Sequence, residues 1–225
     1  MHSQSDCKPP NYPWVRLEGS EVSGSYLAFY YSDPYSEVPV RRISSEIDSK
    51  SDPNLETMTF GLFSTCERQM RTQIVKRGMR YLFFCTRRRV SRVLVGYYEL
   101  GWYAVGPLIK GYSRMGKRVE DYILAANSMR FVNPGFVLKD LTGYLEGVDL
   151  SSKFRINMKI DQKTSDKLLS LLNETKDNTP EYMSEIVKLE NENLGKVGYK
   201  YPNWKKKTSF SWADARKYLG LGVSE

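Results

Sequence analysis

The stretch from Arg80 to Val105 constrains the fold of this chain more than any other. It opens on the apolar run Tyr81-Leu82-Phe83-Phe84-Cys85-Thr86. Arg87-Arg88-Arg89-Val90-Ser91-Arg92 follows, and then Val93-Leu94-Val95-Gly96-Tyr97-Tyr98-Glu99-Leu100. Two runs rich in aromatic and β-branched residues, separated by a short charged turn, predict a β-hairpin. Trp102-Tyr103-Ala104-Val105 is expected to continue the second strand past a bulge at Gly101. Side chains alternate between the two faces of a strand. Phe84 and one of Tyr97 and Tyr98 are therefore expected in the core, with Cys85 as a buried free thiol.

The flanking segments read less sharply. Residues 25–31 and 38–43 predict strands, the second at an edge because it holds Pro39. Residues 1–22 predict an extended, proline-bearing segment, and residues 44–56 a polar loop. Residues 59–65 predict a short strand ending in Ser64 and Thr65. Thr65 suits the cap of a helix over residues 66–77, and Gly78 suits its end. Beyond the hairpin, residues 117–127 predict a helix. Residues 129–132 and 136–138 predict short strands on either side of Pro134-Gly135. Helical periodicity marks residues 165–173 and 181–191, with Thr179 as a cap and Pro180 in the first turn. Ser211 caps a last short helix over residues 212–219.

These elements predict an α+β chain in three parts. Residues 1–57 form an N-terminal extension with one or two strands packed on the core. Residues 58–150 form a β-rich domain. Residues 151–225 form a helical extension with a basic tail.

The charge is local. The chain carries +8, with 34 Lys and Arg against 26 Asp and Glu. Between residues 61 and 120 there are 13 Lys or Arg and only three Glu, a surplus of +10. The remainder is thus slightly acidic. Nine of the 13 lie between Arg68 and Arg92, and eight of those are Arg. The guanidinium fork pairs with phosphate oxygens at two points and stacks on bases, which lysine does not do. A nucleic-acid partner, RNA or DNA, is the expectation, held by Arg68, Arg71, Lys76, Arg77, Arg87, Arg88, Arg89 and Arg92. The tail over residues 196–207 has two readings. Its lysines touch phosphates, or they face water while Tyr199, Tyr201 and Trp204 pack on the core.

Several function classes are disfavoured. No apolar run reaches the roughly 20 residues that span a bilayer, and the mean hydropathy is −0.52. The N-terminus carries no secretory leader pattern, so a cytoplasmic protein is expected. Cys7, Cys66, Cys85 and the lone His2 match no zinc spacing, and neither metal nor cofactor is expected. One histidine leaves little room for Ser-His or Cys-His chemistry. A binding protein, rather than an enzyme, is the reading. The alternatives are a metal-dependent nuclease using Asp140, Glu146 and Asp149, a nucleotide-modifying enzyme using Cys66, and a protein-interaction module docking through the C-terminal helices.

The order of these features resembles the PUA-like superfamily, particularly its EVE and YTH branches, over about residues 58–145. Phe60-Gly61-Leu62-Phe63-Ser64-Thr65 is similar to an opening strand that ends in a small polar residue, and a basic helix follows. Tyr81-Leu82-Phe83-Phe84-Cys85 is similar to the strand after a glycine-containing turn, and residues 93–100 to the next, where an apolar run leads to a glycine and a glutamate. Gly78-Met79-Arg80 departs from the pattern by lacking the acidic residue frequent there. The resemblance implies a small curved antiparallel β-barrel flanked by helices, with a base pocket near Ser64, Thr65, Trp102, Asn127 and Phe131. Trp102 would stack on a base, or sit in the core. Asn127 would read a base edge, or cap a helix beside Ser128.

Overall fold

The predicted hairpin is present in the computed structural model, which describes residues 14–17, 25–29, 62–65, 72–106, 121–151 and 157–181. For residues 25–29, 62–65, 87, 104–106, 121–123 and 157 that description is of the backbone. In chain order the strands are β1 (Val15–Arg16), β2 (Ser25–Phe29), β3 (Leu62–Thr65), β4 (Tyr81–Arg88), β5 (Ser91–Gly106), β6 (Asp121–Val137) and β7 (Asn157–Ile160). A helix, α1 (Gln162–Glu174), follows β7. The fold is α+β, and no helix among the described residues is long and apolar enough to cross a membrane.

The seven strands form one sheet, six of them in the order β3-β6-β5-β4-β2-β7 and β1 paired with β5 off that path. Every described pairing is antiparallel except that of β2 with β4. β1 takes up the edge of β5 where β4 leaves it, with Arg16 opposite Trp102. The sheet thus draws strands from all three segments distinguished in the sequence.

Both faces of the central strands are covered. One face holds Leu82, Phe84, Val93, Val95, Tyr98, Leu100 and Phe131, capped by Ile74, Met79 and Leu17. The other holds Phe83, Cys85, Leu94, Tyr97 and Val132 under Leu138, Leu141, Leu145, Leu168 and Leu172. Tyr97 and Tyr98 are therefore both buried, where one-sided alternation predicted a single core tyrosine. Burial on two faces is what a continuous apolar run reflects. A register shift between Leu94 and Gly96 moves the face reached by odd-numbered residues before it to even-numbered residues after it. Gly96 is required there: a Cβ would lie 2.2 Å from the Arg130 carbonyl oxygen and 2.5 Å from the Phe131 ring.

β6 corrects two expectations. Residues 121–127 are strand and not helix; residues 117–120 lie outside the described residues. The Ala125-Ala126 stretch carries helix propensity, but β3 pairs with one edge of it and β5 with the other. The short strands expected around Pro134-Gly135 are one strand running through a cis Asn133–Pro134 bond to Val137. Leu138 belongs instead to a 3-10 turn, Leu138–Leu141. Gly96 pairs with Phe131 and Leu94 with Phe136, so residues 132–135 are accommodated as an irregularity opposite Val95.

Elsewhere the expectations hold in outline. Of the helix over residues 66–77, a single π-helical turn, Thr72–Lys76, is described, and Gly78 ends it at φ 71°. α1 starts three residues before the expected point. There the Asp161 carboxylate accepts from the Thr164 backbone N–H at 2.8 Å, satisfying a donor that the helix leaves open. The strand over 38–43, the loop over 44–56, most of the helix over 181–191, the basic tail and the helix over 212–219 lie outside the described residues.

Candidate nucleic-acid interface

Among the described residues, β2 pairs with β4 as far as Cys85 and β6 pairs with β5 from Val93. The β4–β5 ladder continues through Arg87 opposite Arg92 and Arg88 opposite Ser91 to the two-residue turn Arg89-Val90. Arg88 and Arg89 are exposed, and Val90 is 87% exposed.

The local chemistry of this tip is costly for folding. Arg89 adopts φ 53°, a left-handed conformation that costs a non-glycine residue about 1–2 kcal/mol. Tight hairpin turns ordinarily use Gly, Asn or Asp there. Two arginines directly opposite each other on a ladder repel. One of them is tied back: Arg92 donates from a terminal guanidinium nitrogen to the Ser151 carbonyl at 2.9 Å. Ser151 is held in turn by the Asp149 carboxylate, which accepts from its N–H at 2.8 Å and its hydroxyl at 2.6 Å. Arg92 thus ties the base of the ribbon to the segment at Ser151.

The basic residues fall into separate groups. Lys76 and Arg77 are exposed at the turn preceding β4, and Arg88 and Arg89 lie at its far end. Eight strand residues, at about 3.3 Å each, set the two groups roughly 25 Å apart. Arg68 and Arg71 lie outside the described residues, and Arg87 is described by its backbone alone.

The residues of the expected base pocket also divide. Phe131 has no exposed surface; its ring packs between Phe84 and Tyr98, with centroids at 6.0 and 5.9 Å. It belongs to the core and not to a pocket wall. Trp102 is 8% exposed, opposite Ala125 on β6 and Arg16 on β1. Ser64 and Thr65 occupy β3, paired with Ile123 and Tyr122. Asn127 is on a strand, which removes its reading as a helix cap. It is half-buried and sits in a bulge, since Glu99 pairs with Ser128 and Leu100 with Ala126. Bulges re-aim side chains, and the lack of a Cβ at Gly101 makes room for this one: a Cβ there would lie 2.9 Å from that of Asn127.

Arg80, beside this group, was not singled out by sequence reasoning. Both terminal guanidinium nitrogens are buried without a hydrogen-bond partner, and so is the Gln73 side-chain oxygen. Burial pushes the Arg80 pKa down, opposed by the Glu99 carboxylate. Glu99 itself accepts from the Ser128 hydroxyl at 2.6 Å. The one signal available in sequence was the missing acid in the Gly78-Met79-Arg80 turn.

The remaining candidates resolve differently. Cys85 is fully buried, and desolvation pushes its thiol pKa up, away from nucleophilic use. Cys66, Cys7 and His2 lie outside the described residues. Of the proposed nuclease acids, Glu146 pairs with Lys163 and Lys167, Asp149 holds Ser151, and Asp140 sits in the 3-10 turn. Among the described residues no three His, Cys, Asp or Glu converge as a metal site. Neither a family model nor a curated protein matches this chain.

Proposed function

We propose that the chain binds nucleic acid through the β4–β5 ribbon. The observation that carries this reading is the hairpin turn itself, where exposed Arg88 and Arg89 stand at the end of a paired β4–β5 ladder. A rigid presentation spares the side chains part of the ordering cost that a loop would impose on binding. Guanidinium groups on such a support neutralise phosphates and release counterions. Lys76 and Arg77, about one strand length away, serve as a second and weaker contact along the backbone. The PUA-like resemblance belongs to the same proposal, with Trp102 and Asn127 at the rim of a base pocket beside β3. The protein acts in the cytoplasm in this reading, without a cofactor and without catalysis.

The test replaces Arg87, Arg88 and Arg89 together by Ala and measures affinity for duplex and single-stranded DNA and RNA across a salt series. Each phosphate contact contributes about 0.9 to the slope of log K against log salt on B-DNA. The variant is expected to lose about two units of slope while its circular dichroism spectrum stays that of the parent. Unchanged affinity for every nucleic acid would refute the proposal.

A further inference from the structure

We infer that the turn before β4 holds a phosphate group that still carries a proton. The two terminal nitrogens of Arg80 donate to its oxygens, and the Gln73 side-chain oxygen accepts from its P–OH. This site is separate from the β4–β5 turn and goes beyond the nucleic-acid reading. It starts from three polar atoms. Both terminal guanidinium nitrogens of Arg80 and the Gln73 oxygen are buried without a hydrogen-bond partner. The large majority of buried polar atoms in folded proteins have one. Taking a cation out of water without an acceptor opposes folding, and local choices of that kind are expected where function needs them. Glu99 does not fill the need. Its carboxylate accepts from the Ser128 hydroxyl at 2.6 Å and reaches neither nitrogen.

Backbone bonds gather these residues into one turn. The Arg77 N–H donates to the Thr72 carbonyl at 3.2 Å, the Gly78 N–H to Ile74 at 3.1 Å and the Met79 N–H to Gln73 at 3.1 Å. The last bond sets Gln73 beside the residue that precedes Arg80. From Thr72 to Arg80 the chain holds Lys76, Arg77 and Arg80 and no acid. Lys76 and Arg77 are exposed and add a positive field that draws an anion. Gln73 and Arg80 each keep part of their surface in solvent, so their buried ends lie in a shallow layer of the fold. The guanidinium fork matches two oxygens of a carboxylate or a phosphate. An ionised carboxylate only accepts and would leave the Gln73 oxygen unpaired. Sulfate at neutral pH has the same defect. Inorganic phosphate keeps a proton there, and a terminal phosphate ester, with its second pKa near about 6, keeps one part of the time. The ligand is therefore free phosphate or the terminal phosphate of a nucleic acid.

The experiment follows thermal unfolding of the full chain in phosphate-free buffer as sodium phosphate, sulfate or chloride is added at equal ionic strength. Phosphate at about ten times its dissociation constant is expected to raise the melting temperature by about 3–5 °C, and sulfate by less. Arg80→Met is expected to abolish the phosphate shift. Arg80→Lys, which keeps the charge and loses the fork, is expected to remove most of it and serves if the first variant does not fold. Gln73→Leu is expected to bring the phosphate response down to that of sulfate. An oligonucleotide with a terminal phosphate that binds about tenfold more tightly than its hydroxyl-ended twin, in the parent and not in Arg80→Lys, would identify the nucleic-acid end as the ligand. Equal affinity of the two would identify free phosphate. A phosphate shift no larger than that of sulfate, or one that Arg80→Lys retains in full, would overturn the inference and leave the nucleic-acid reading standing. Loss of the shift on replacing Arg87, Arg88 and Arg89 by Ala would also overturn it, by moving the anion to the β4–β5 turn.

Discussion

The Arg130 guanidinium on β6 donates its Nε–H to the Leu172 carbonyl in the last turn of α1, at 2.8 Å. The same side chain reaches the carbonyls of Asn173 at 3.2 Å and Thr175 at 2.5 Å, and lies 3.5 Å from the Asp177 carboxylate. A helix ends with carbonyls that no backbone N–H can satisfy, and a cation there is favoured by the helix dipole. The segment that follows closes the edge of β6. The Asn178 N–H donates to the Phe131 carbonyl, and the Phe131 N–H to the Thr179 hydroxyl, each at 2.8 Å. Thr179 was expected to cap the next helix; its hydroxyl accepts from a strand instead. Arg130 thus joins the helical extension to the sheet, 42 residues away in sequence.

Arg130→Met is expected to lower stability by about 2–3 kcal/mol, the usual range for charged hydrogen bonds lost from a part-buried site. Arg130→Lys is expected to recover little, because an ammonium lacks the guanidinium fork that reaches three carbonyls. Urea midpoints at constant m-value check both.

Gly96→Ala is expected to cost about 3 kcal/mol. The added Cβ meets a backbone carbonyl oxygen at 2.2 Å, and β6 must move to accept it. Gly143→Ala provides the control, since a Cβ there has nothing within 4 Å. A urea midpoint for Gly96→Ala equal to that of the parent would contradict the packing described at Phe131.

Glu146 governs part of the acid limb of stability. Hydrogen bonds from Lys163 and Lys167 hold its carboxyl at about 2, below the ordinary 4.5. The folded form therefore binds a proton less readily than the unfolded one. The resulting stabilisation is complete above the ordinary carboxylate range and is lost as pH falls from about 4.5 towards 2. Glu146→Gln is expected to flatten that part of the stability profile and to leave the chain less stable at neutral pH. Denaturant titrations at a series of acid pH values measure the slope.

Arg80→Met is expected to raise the melting temperature. Two desolvated guanidinium nitrogens without partners oppose folding, and an apolar chain of similar length fills the same space. A gain of roughly 1 kcal/mol corresponds to about 2–4 °C in a chain of this size. A fall in melting temperature would show that the guanidinium stabilises the fold.

Much of the central sheet was legible because its signals are local. The two apolar runs, the charged turn between them and the glycine before them specify β4, β5 and the end of the preceding helical turn without reference to distant residues. Beyond them the signals weaken. Residues 121–127 read as helix because Leu124-Ala125-Ala126 has no strand signature of its own, and only pairing on both edges makes it one. Of the site, the exposed arginines were legible as a cluster of like charge. The anchoring of Arg92, the burial of Phe131 and the bulge at Asn127 were not, since each depends on a residue far along the chain.

The arginine ribbon shows the division most directly. Its position, its charge and its strands follow from the sequence, through alternation, turn length and side-chain type. The tie from Arg92 to the Ser151 carbonyl depends on a residue 59 positions away, which no window around Arg87 to Arg92 contains. Composition and local pattern determine which residues favour strand and which carry charge. Only the pairing of distant strands decides which of those charges are anchored and which face outward, because that choice is made by contacts that exist after the chain has folded.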